Sequence, residues 1–444
     1  MSASSSSPIA AITGRVAPVR ERLVSAAVTD RAVTDRAGAG SDAPTGATIV
    51  EGLTGEDLLV VLARVPDPRA RRGRRHSLVS VLAAAVCAVL AGACSYVAIA
   101  EWVHDLPISV RIRLGLGRRR PSEATVRRIL QKVDHDAFDQ ALCGWLARHP
   151  AAVAPGSPPR PRVPASPRTR SARPTWRAVA VDGKTARGSR TPDTPAAQLF
   201  AVFDHATGVV LGQTPVTDPE RVGKGSEIAA FAPLLDRLDL TEVVVTADAL
   251  HTQDAHATYL HERGGHYVFT VKGNRPKLRA QLAGLPWRQI PIVHQFHESG
   301  HGRREHRTLQ LAAVENRVTG GILFPHAQLA VRIIRRRRPA GAPTGSWDSE
   351  TVYAIIDLDF DQIRAEDLAQ IIRRHWSIEN RLHWIRDVVF AEDHSQVRTG
   401  NGPAVMASLR NFAVSRHRLA GATNIAAACR ETGRHPSRAA NLLT

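Results

Sequence analysis

The sequence predicts an α/β protein in which a small helical domain precedes a mixed core with a β-rich insertion. Three observations predict this class. Helical periodicity dominates residues 54–150, apolar runs of strand length alternate with a helical segment over 177–265, and short strand-like runs fill 266–360. Strands that alternate with helices are typical of an α/β core. A second part of that core, helical again, follows at 361–420.

The composition indicates a multidomain protein with a polyanionic partner. The 444 residues include 59 Lys and Arg against 41 Asp and Glu, a formal charge of +18. Such an imbalance favours nucleic acid as the partner. The 4 cysteines are scattered without CxxC spacing, which argues against a zinc ribbon and a disulfide framework. We therefore expect a DNA-associated protein of the reducing cytoplasm, close to the nucleoid.

Three segments lack the patterns of folded structure. Residues 1–53 are rich in Ser, Ala, Thr and Gly without periodicity, so we expect a disordered tail and no secretory signal. Residues 151–176 are dense in Pro and Arg and predict an extended basic linker. Residues 421–444 are expected to form a C-terminal tail.

The apolar run at 78–100 in the helical domain is long enough to span a bilayer by length alone. It consists mostly of Ala, Val and Gly, with Ser80 and Ser95 inside it, which is weak hydrophobicity for insertion. We therefore predict a buried Ala-rich helix, or two helices broken near Gly92, and no membrane partner.

A second helix of this domain follows Pro121. Ser122 is a candidate N-cap, and apolar residues recur at helical spacing from Val126 to Val133 while basic residues point elsewhere. The basic face predicts either a DNA-docking helix or an ordinary solvated surface.

Two carboxylates stand where apolar strands end. Asp182 ends AVAVDG and Asp248 ends EVVVTADA. We expect both strands to lie side by side in one sheet, so that the two carboxylates could share a metal ion. A single carboxylate at a strand end is common, so the prediction depends on a third acid.

Glu379 supplies that third acid from a helix. The 3.6-residue period brings several residues to its side of the helix, namely His375, Leu382, His383 and Arg386. Mg²⁺ prefers carboxylate and phosphate oxygens, and two such ions could activate an attacking oxygen and stabilise a leaving one. The alternative for Glu379 is a surface salt bridge.

Other metal-ligating sets are weaker. The zinc-hydrolase alternative rests on Asp248 with His251 and His256, or on three further histidines, and neither spacing matches a standard zinc motif. Those three are His297, His301 and His306. Glu392 and Asp393 are alternative third carboxylates, which we assign to the turn after the helix.

Several segments together resemble the DDE transposases of bacterial insertion sequences, in the subgroup related to H-repeat-associated proteins (ISAs-type). They are DPRARRGRRH, PSEATVRRIL, VDGKTARGS, KGSEIAAFAPLL, TADALHTQ, VKGN, HGRREHR and HWSIENRLHWIRDVVFAEDHSQVRTGN. They follow the family's order from about residue 55 to 415. Each motif alone is weak, but their order and spacing together are specific.

The resemblance implies an RNase H-like catalytic core that a β-rich insertion interrupts before the helix carrying the glutamate. It implies a catalytic triad of Asp182, Asp248 and Glu379 that holds two Mg²⁺ ions, with Mn²⁺ able to substitute. Asp182 would bridge the ions, and the other two acids would each hold one.

The resemblance also implies DNA contacts. The wider group has Tyr, Arg, Glu and Lys around its glutamate, where this chain has Ile372, His375, Glu379 and Arg386. We expect DNA contacts from His375 and Arg386, and phosphate contacts from three further residues, for which a solvated charge is the alternative. These are Lys184, Arg187 and Lys272. The Arg335–Arg338 run either contacts DNA or flanks a solvent loop.

The activity implied is hydrolysis at the element's ends, which frees 3′-hydroxyls, followed by attack of those hydroxyls on target DNA. A homodimer or larger assembly is expected because two ends must be brought together. Two alternatives remain open at this point, an inactive transposase-derived DNA-binding protein and a metal-dependent nuclease that cuts without joining.

Overall fold

A computed structural model describes residues 57–72, 74–149, 176–216, 226–300, 302–314, 321–341 and 347–443. The predicted tail at 1–53 lies outside the described residues, as does the linker as far as residue 175. The described chain contains one extended sheet with helices on both of its faces.

The first described part is helical, as predicted. Its helices are α1 (Leu58–Leu62), α2 (Leu78–Leu90), α3 (Tyr96–Asp105), α4 (Ile108–Arg113), α5 (Glu123–Lys132) and α6 (His135–Arg148). In α5 the apolar positions Val126, Ile129 and Leu130 are buried, while the basic positions are exposed. Ser122 precedes α5 but makes no capping hydrogen bond from its side chain.

The apolar run at 78–100 folds as two helices that break at Gly92, as predicted. Gly92 has a φ of 96°, a left-handed conformation that glycine adopts without the penalty of a Cβ atom. All of α2 is buried, so its Ala and Val side chains form the interior of a helical bundle. In the described ranges, no helix combines the length and apolarity needed to cross a bilayer.

Nine strands form the sheet. They are β1 (Arg177–Ala186), β2 (Ala197–Asp204), β3 (Val210–Pro215), β4 (Val243–Ala247), β5 (His266–Val271), β6 (Ile292–Gly300), β7 (Arg303–Ala313), β8 (Leu329–Pro339) and β9 (Asp348–Ile356). Their spatial order is β3-β2-β1-β4-β5-β9-β8-β7-β6. Strands β1, β4 and β5 run parallel, and every other pairing is antiparallel.

The pairing of β5 corrects one predicted boundary. His266–Val271 was expected to open the β-rich insertion, but it pairs in parallel with β4 and so continues the first set of strands. The β-rich segment begins after it, and β6 to β9 extend the same sheet through the β5–β9 pairing. An apolar strand has the same sequence pattern in the core and in the insertion. The sequence alone therefore does not show to which of the two β5 belongs.

Three helices follow strands β3, β4 and β5 along the chain. They are α7 (Ser226–Leu235), α8 (Asp254–Glu262) and α9 (Pro276–Ala283). They cover one face of the sheet, while α10 (Ala365–His375) covers the other. The chain then continues through a π-helical turn (Glu379–His383) into α11 (Trp384–Val388).

The C-terminal helices are α12 (Gly402–Leu419), α13 (Ile425–Arg434) and α14 (Pro436–Asn441). They correct the prediction of a C-terminal tail. The buried residues of α13 and α14 share one core with α2 and α12, and the Leu58 amide donates to the Leu443 carbonyl over 3.1 Å. The N-terminal helices therefore complete their core with the C-terminal end of the chain.

Candidate active site and metal centre

The strand register places Asp182 and Asp248 side by side. Val181 of β1 is in register with Ala247 of the parallel neighbour β4, so each aspartate follows at the same edge of the sheet. Asp182 accepts a hydrogen bond from the Gly183 amide over 2.9 Å, and Asp248 accepts one from the Leu250 amide, also over 2.9 Å. The expectation that the two strands are neighbours is confirmed.

Glu379 reaches this edge from the π-helical turn. The Trp384 amide donates to the Glu379 carbonyl, an i to i+5 hydrogen bond that widens the helix at this point. Such turns inside helices are frequent at functional sites. The His383 Nδ1–H donates to the Glu379 carboxylate over 3.0 Å and lies 3.6 Å from Oδ2 of Asp182.

Ligand atoms of Asp182, Glu379 and His383 all lie within 4.8 Å of one another. In the part of the chain that the structure describes, this is the group of acids and histidines that is close enough to share one ion. Asp248 lies outside this group, on the adjacent strand end.

The carboxylates repel one another. Burial and the neighbouring charges of Asp248, Glu379 and Glu227 raise the pKa of Asp182 to about 7, against the lowering effect of the Gly183 amide. The hydrogen bond from His383 lowers the pKa of Glu379. A cation placed among these groups would remove the repulsion that disfavours the charged form of Asp182.

The donor set fits a divalent cation. Carboxylate oxygens suit Mg²⁺ and Mn²⁺, and an imidazole nitrogen is also acceptable to Mn²⁺. Asp182 and Glu379 would hold the ion directly. His383 would serve either as a third ligand or as the donor that orients Glu379, since both functions use the same Nδ1 atom.

His375, a predicted DNA contact, is half-buried and bound to a neighbouring side chain. Its Nδ1 lies 3.0 Å from Oγ1 of Thr246, which also contacts His205. Burial lowers the pKa of His375 to about 4, although the charge of Asp248 opposes this effect. A neutral imidazole beside Asp248 adds no cationic contact for DNA at neutral pH.

The predicted phosphate contacts lie in three different environments. Lys184 forms a 2.7 Å ion pair with Asp387 and is mostly buried. The Arg187 side chain is 81% exposed, with Asp393 3.8 Å away. Lys272 is exposed directly after β5, at the same edge of the sheet as the aspartates. Arg187 and Lys272 are accessible to a ligand, whereas Lys184 is engaged within the protein.

Arg386 requires a correction. Its side chain is 0% exposed and pairs with Glu392 over 2.8 Å, and Arg410 holds the second oxygen of the same carboxylate over 2.7 Å. A guanidinium enclosed in this way has no surface for DNA. The same pairing shows that Glu392, the alternative third carboxylate, is a partner of two arginines inside the core.

Glu227 was not identified from the sequence. Its carboxylate lies over the Cα atom of Gly183, where a Cβ atom would stand 2.2 Å from Oε1. Gln198 donates to it, and His251 Nε2 lies 3.8 Å from Oε2. No local pattern links Glu227 to Gly183, because the contact depends on how α7 packs against β1.

The helical period places His383 on the same side of the helix as Glu379, but the sequence does not indicate a function for it. Its spacing of four residues from Glu379 was the available signal. As a hydrogen-bond donor to Glu379, His383 would fix the orientation of a metal ligand, as outer-shell residues of metal sites commonly do.

Among the residues with a described position, neither alternative zinc set forms a group close enough to share an ion. His251 and His256 are buried in the core, where His256 stacks on Phe231 with ring centroids 3.9 Å apart and His251 stacks on Phe200 at 4.9 Å. His297 stacks on His306 at 4.1 Å across two strands, and His301 lies outside the described residues. The histidines of these sets that the structure describes therefore pack against rings.

Comparison with known proteins identifies the family. The family profile described as "Transposase DDE domain" matches residues 174–415, and the profile described as "DDE_Tnp_1-associated" matches residues 59–146. The "Putative transposase YncI" of Escherichia coli O157:H7 is 27% identical over 376 residues, covering 81% of this chain and 87% of the relative.

A second relative is the "H repeat-associated putative transposase YhhI" of Escherichia coli K12. It is 25% identical over 366 residues, covering 81% of this chain and 89% of the relative. The domain profile spans more than half of the chain and includes all three carboxylates of the candidate site. The chain belongs to the DDE transposase family, and it is similar to an H repeat-associated member of it.

Proposed function

We propose that the protein is a metal-dependent DNA transposase that cleaves the ends of its insertion sequence and transfers the freed strands into target DNA. The proposal is supported by the position of Asp182, which lies within ligand distance of Glu379 and His383 and is a charge neighbour of Asp248. Asp182 and Asp248 follow the ends of two parallel neighbouring strands, and Glu379 lies in the widened helical turn close to Asp182. Membership of the DDE family supports the same assignment.

The core that holds these acids is, in this proposal, RNase H-like. The order β3-β2-β1-β4-β5 supports it, because an antiparallel meander joins two parallel strands whose carboxyl ends carry the aspartates. Strands β6 to β9 are then the insertion, since they stand in sequence between β5 and the helix that leads to Glu379.

Bound Mg²⁺ or Mn²⁺, two ions in the full centre, would activate the attacking oxygen and stabilise the leaving one. The residues of the chain would hold the ions and fix the positions of the ligands. Asp182, at the centre of the acidic group, would contact both positions, with Asp248 on one side and Glu379 on the other. His383 holds the Glu379 carboxylate in place, and Thr246 fixes the ring of His375 beside Asp248.

DNA would approach this edge past exposed basic side chains. Arg187 and Lys272 are accessible there and remain our proposed phosphate contacts. Lys184 would act through its ion pair with Asp387, which keeps a positive charge close to Glu379. Two ends must be joined in one reaction, so we propose that two or more copies assemble on DNA.

The test uses supercoiled plasmid that carries the element's own ends, with a second plasmid as target and Mg²⁺ or Mn²⁺ present. The expected products are cuts at both ends and covalent joining of the freed 3′-hydroxyls to the target. Cutting without joining would show a nuclease instead. Binding of the ends by folded protein without any cutting would show an inactive DNA-binding relative.

A further inference from the structure

The sheet extends beyond the candidate site as a four-stranded arm. Strand β5 ends at Val271, which pairs with Tyr353, whereas the ladder between β8 and β9 continues to the pair Arg337 and Asp348. The arm comprises Phe296–Gly300, Arg303–Arg307, Arg335–Pro339 and Asp348–Glu350. Because β5 ends at the same edge as β1 and β4, the arm projects past the edge that carries Asp182 and Asp248.

Successive side chains of a strand point to opposite faces, and residues in register across strands share a face. The pairs His297 with His306, His306 with Arg336, and Arg304 with Arg338 therefore define one face of the arm, here named the open face. The opposite face, here named the paired face, carries Glu305 in register with Arg337, and Arg307 in register with Arg335.

The carboxylates of the arm all stand on the paired face, where three of them pair with Arg307, Arg335 and Arg337. Glu305 accepts from Arg307 over 2.7 Å and also from Arg335. Arg337 lies 3.3 Å from Glu350 and 3.9 Å from Asp348. Glu298 accepts from Arg373 of α10 over 2.6 Å. These contacts account for every Asp and Glu of the described arm.

The open face has no such compensation among the arm residues that the structure describes. Arg304, Arg336 and His297 are exposed. Arg338 stacks over the ring of Trp347, with its guanidinium carbon 4.7 Å from the ring centroid. Like charges in neighbouring cross-strand positions destabilise a sheet, so this row is unfavourable until an anion neutralises it.

The row also has a regular geometry. Arg336 and Arg338 are two residues apart on β8, roughly 6.6 Å along the strand, and Arg304 stands opposite Arg338 at about 5 Å between backbones. Arginine forks of this kind suit phosphate oxygens, which accept two parallel hydrogen bonds.

We propose that the open face of the arm is a docking surface for the phosphate backbone of duplex DNA, formed by Arg304, Arg336 and Arg338. The inference rests on the proposed function, since it takes the substrate to be DNA. It divides the Arg335–Arg338 run into two classes. Arg336 and Arg338 bind DNA, whereas Arg335 and Arg337 stabilise the arm.

The test compares two double variants of the full-length protein. Arg304→Gln with Arg336→Gln removes two charges from the open face. Arg335→Gln with Arg337→Gln removes two charges from the paired face, both of them ion-paired with carboxylates. Affinity for a duplex without element ends is measured by fluorescence anisotropy over a series of salt concentrations. Thermal melting followed by circular dichroism checks that each variant is folded.

The open-face variant is expected to raise the dissociation constant about tenfold and to reduce the slope of log K against log salt by about 2, as loss of two phosphate contacts requires. The paired-face variant should change affinity less than about twofold. Equal losses in both variants, or no loss in either, would overturn the inference. If the open-face variant keeps its affinity for DNA but no longer binds anionic lipid vesicles, the inference is overturned in favour of a membrane surface.

Failure of this inference is distinguishable from failure of the proposed function. If wild-type protein cuts and joins element ends while the open-face variant binds DNA normally, only the docking surface is wrong. If wild-type protein neither binds nor cuts DNA, the transposase proposal fails together with it.

Discussion

His383 donates a hydrogen bond from Nδ1 to the carboxylate of Glu379 over 3.0 Å, within a single π-helical turn. The same nitrogen lies 3.6 Å from Asp182, so the imidazole stands between two of the acids proposed to bind metal. Its ring is almost fully buried, which fixes its orientation. The candidate centre therefore includes an imidazole that holds Glu379 in place beside Asp182.

Replacing His383 should weaken metal binding. His383→Ala removes either a ligand or the donor that orients Glu379, and losses of about ten- to a hundredfold in metal affinity are typical for such partners. Titration with Mn²⁺ followed by electron paramagnetic resonance measures the affinity directly. His394→Ala, at an exposed position of the following turn, is the control and should bind Mn²⁺ normally. Equal affinities in both variants would contradict the assignment of His383.

Adding a methyl group at Gly183 should disturb the site through Glu227. The new Cβ of Gly183→Ala would collide with the carboxylate of Glu227, so that carboxylate must move away from its position beside Gln198 and His251. Because the displaced atoms are the end of one flexible side chain, the loss of unfolding free energy should be at the low end for overpacking, about 1 kcal/mol. Urea denaturation measures the change.

Gly273→Ala is the matched control, because its Cβ would meet nothing within 4 Å. It should be close to wild type in stability. Truncation of the obstacle in the double variant Gly183→Ala with Glu227→Ala should recover part of the loss. A Gly183→Ala protein as stable as the control would show that the contact is not as close as described.

The buried ion pairs of Glu392 should make stability depend on pH. Burial raises the pKa of Glu392, but Arg386 and Arg410 outweigh this effect and hold it at about 2, below the usual 4.5. A depressed carboxyl pKa stabilises the fold above about pH 4.5, and that contribution is lost as the pH falls toward 2.

Glu392→Gln should therefore lower the unfolding free energy by about 3–5 kcal/mol at neutral pH, since two buried arginines lose their charge partner. Its stability should also fall less than that of wild type between pH 5 and pH 3, as measured by urea denaturation at each pH. Parallel pH profiles for the two proteins would show that Glu392 is not the titrating group.

Removing the last two helices should destabilise the helical bundle. A chain that stops after Thr423 lacks Cys429, Ala439 and Ala440, which are buried against α2 and its neighbours. We expect a melting temperature lower by several degrees or more, or aggregation of the exposed core. Arg438→Gln is the control, because its ion pair with Glu431 is half-exposed and contributes little. Unchanged melting of the truncated chain would restore the prediction of a tail.

The acids and the strand ends could be predicted because they depend on local patterns. Apolar runs that stop at Asp182 and Asp248 define strand ends, and parallel neighbours bring such ends together. The break at Gly92 was equally local, since glycine accepts the left-handed backbone there.

Arg386 could not be placed correctly because a regular helical period was assumed. The i to i+5 turn at Glu379–His383 rotates the residues that follow it relative to an α-helix. Arg386 consequently points into the core toward Glu392 and away from the acidic edge. Glu227 and the C-terminal helices were missed for a related reason, because their partners lie far away in the sequence and no local spacing reveals tertiary packing.

The most direct test of the central claim compares end cleavage by wild type with Asp182→Asn, Asp248→Asn and Glu379→Gln. Glu366→Gln is the matched control, an exposed acid on the helix before Glu379. The account predicts that wild type and the control cut element ends in Mg²⁺, while each of the three variants remains folded, binds the ends and loses cleavage by at least about a thousandfold. Cleavage that survives all three substitutions would contradict the account and place the chemistry at another site.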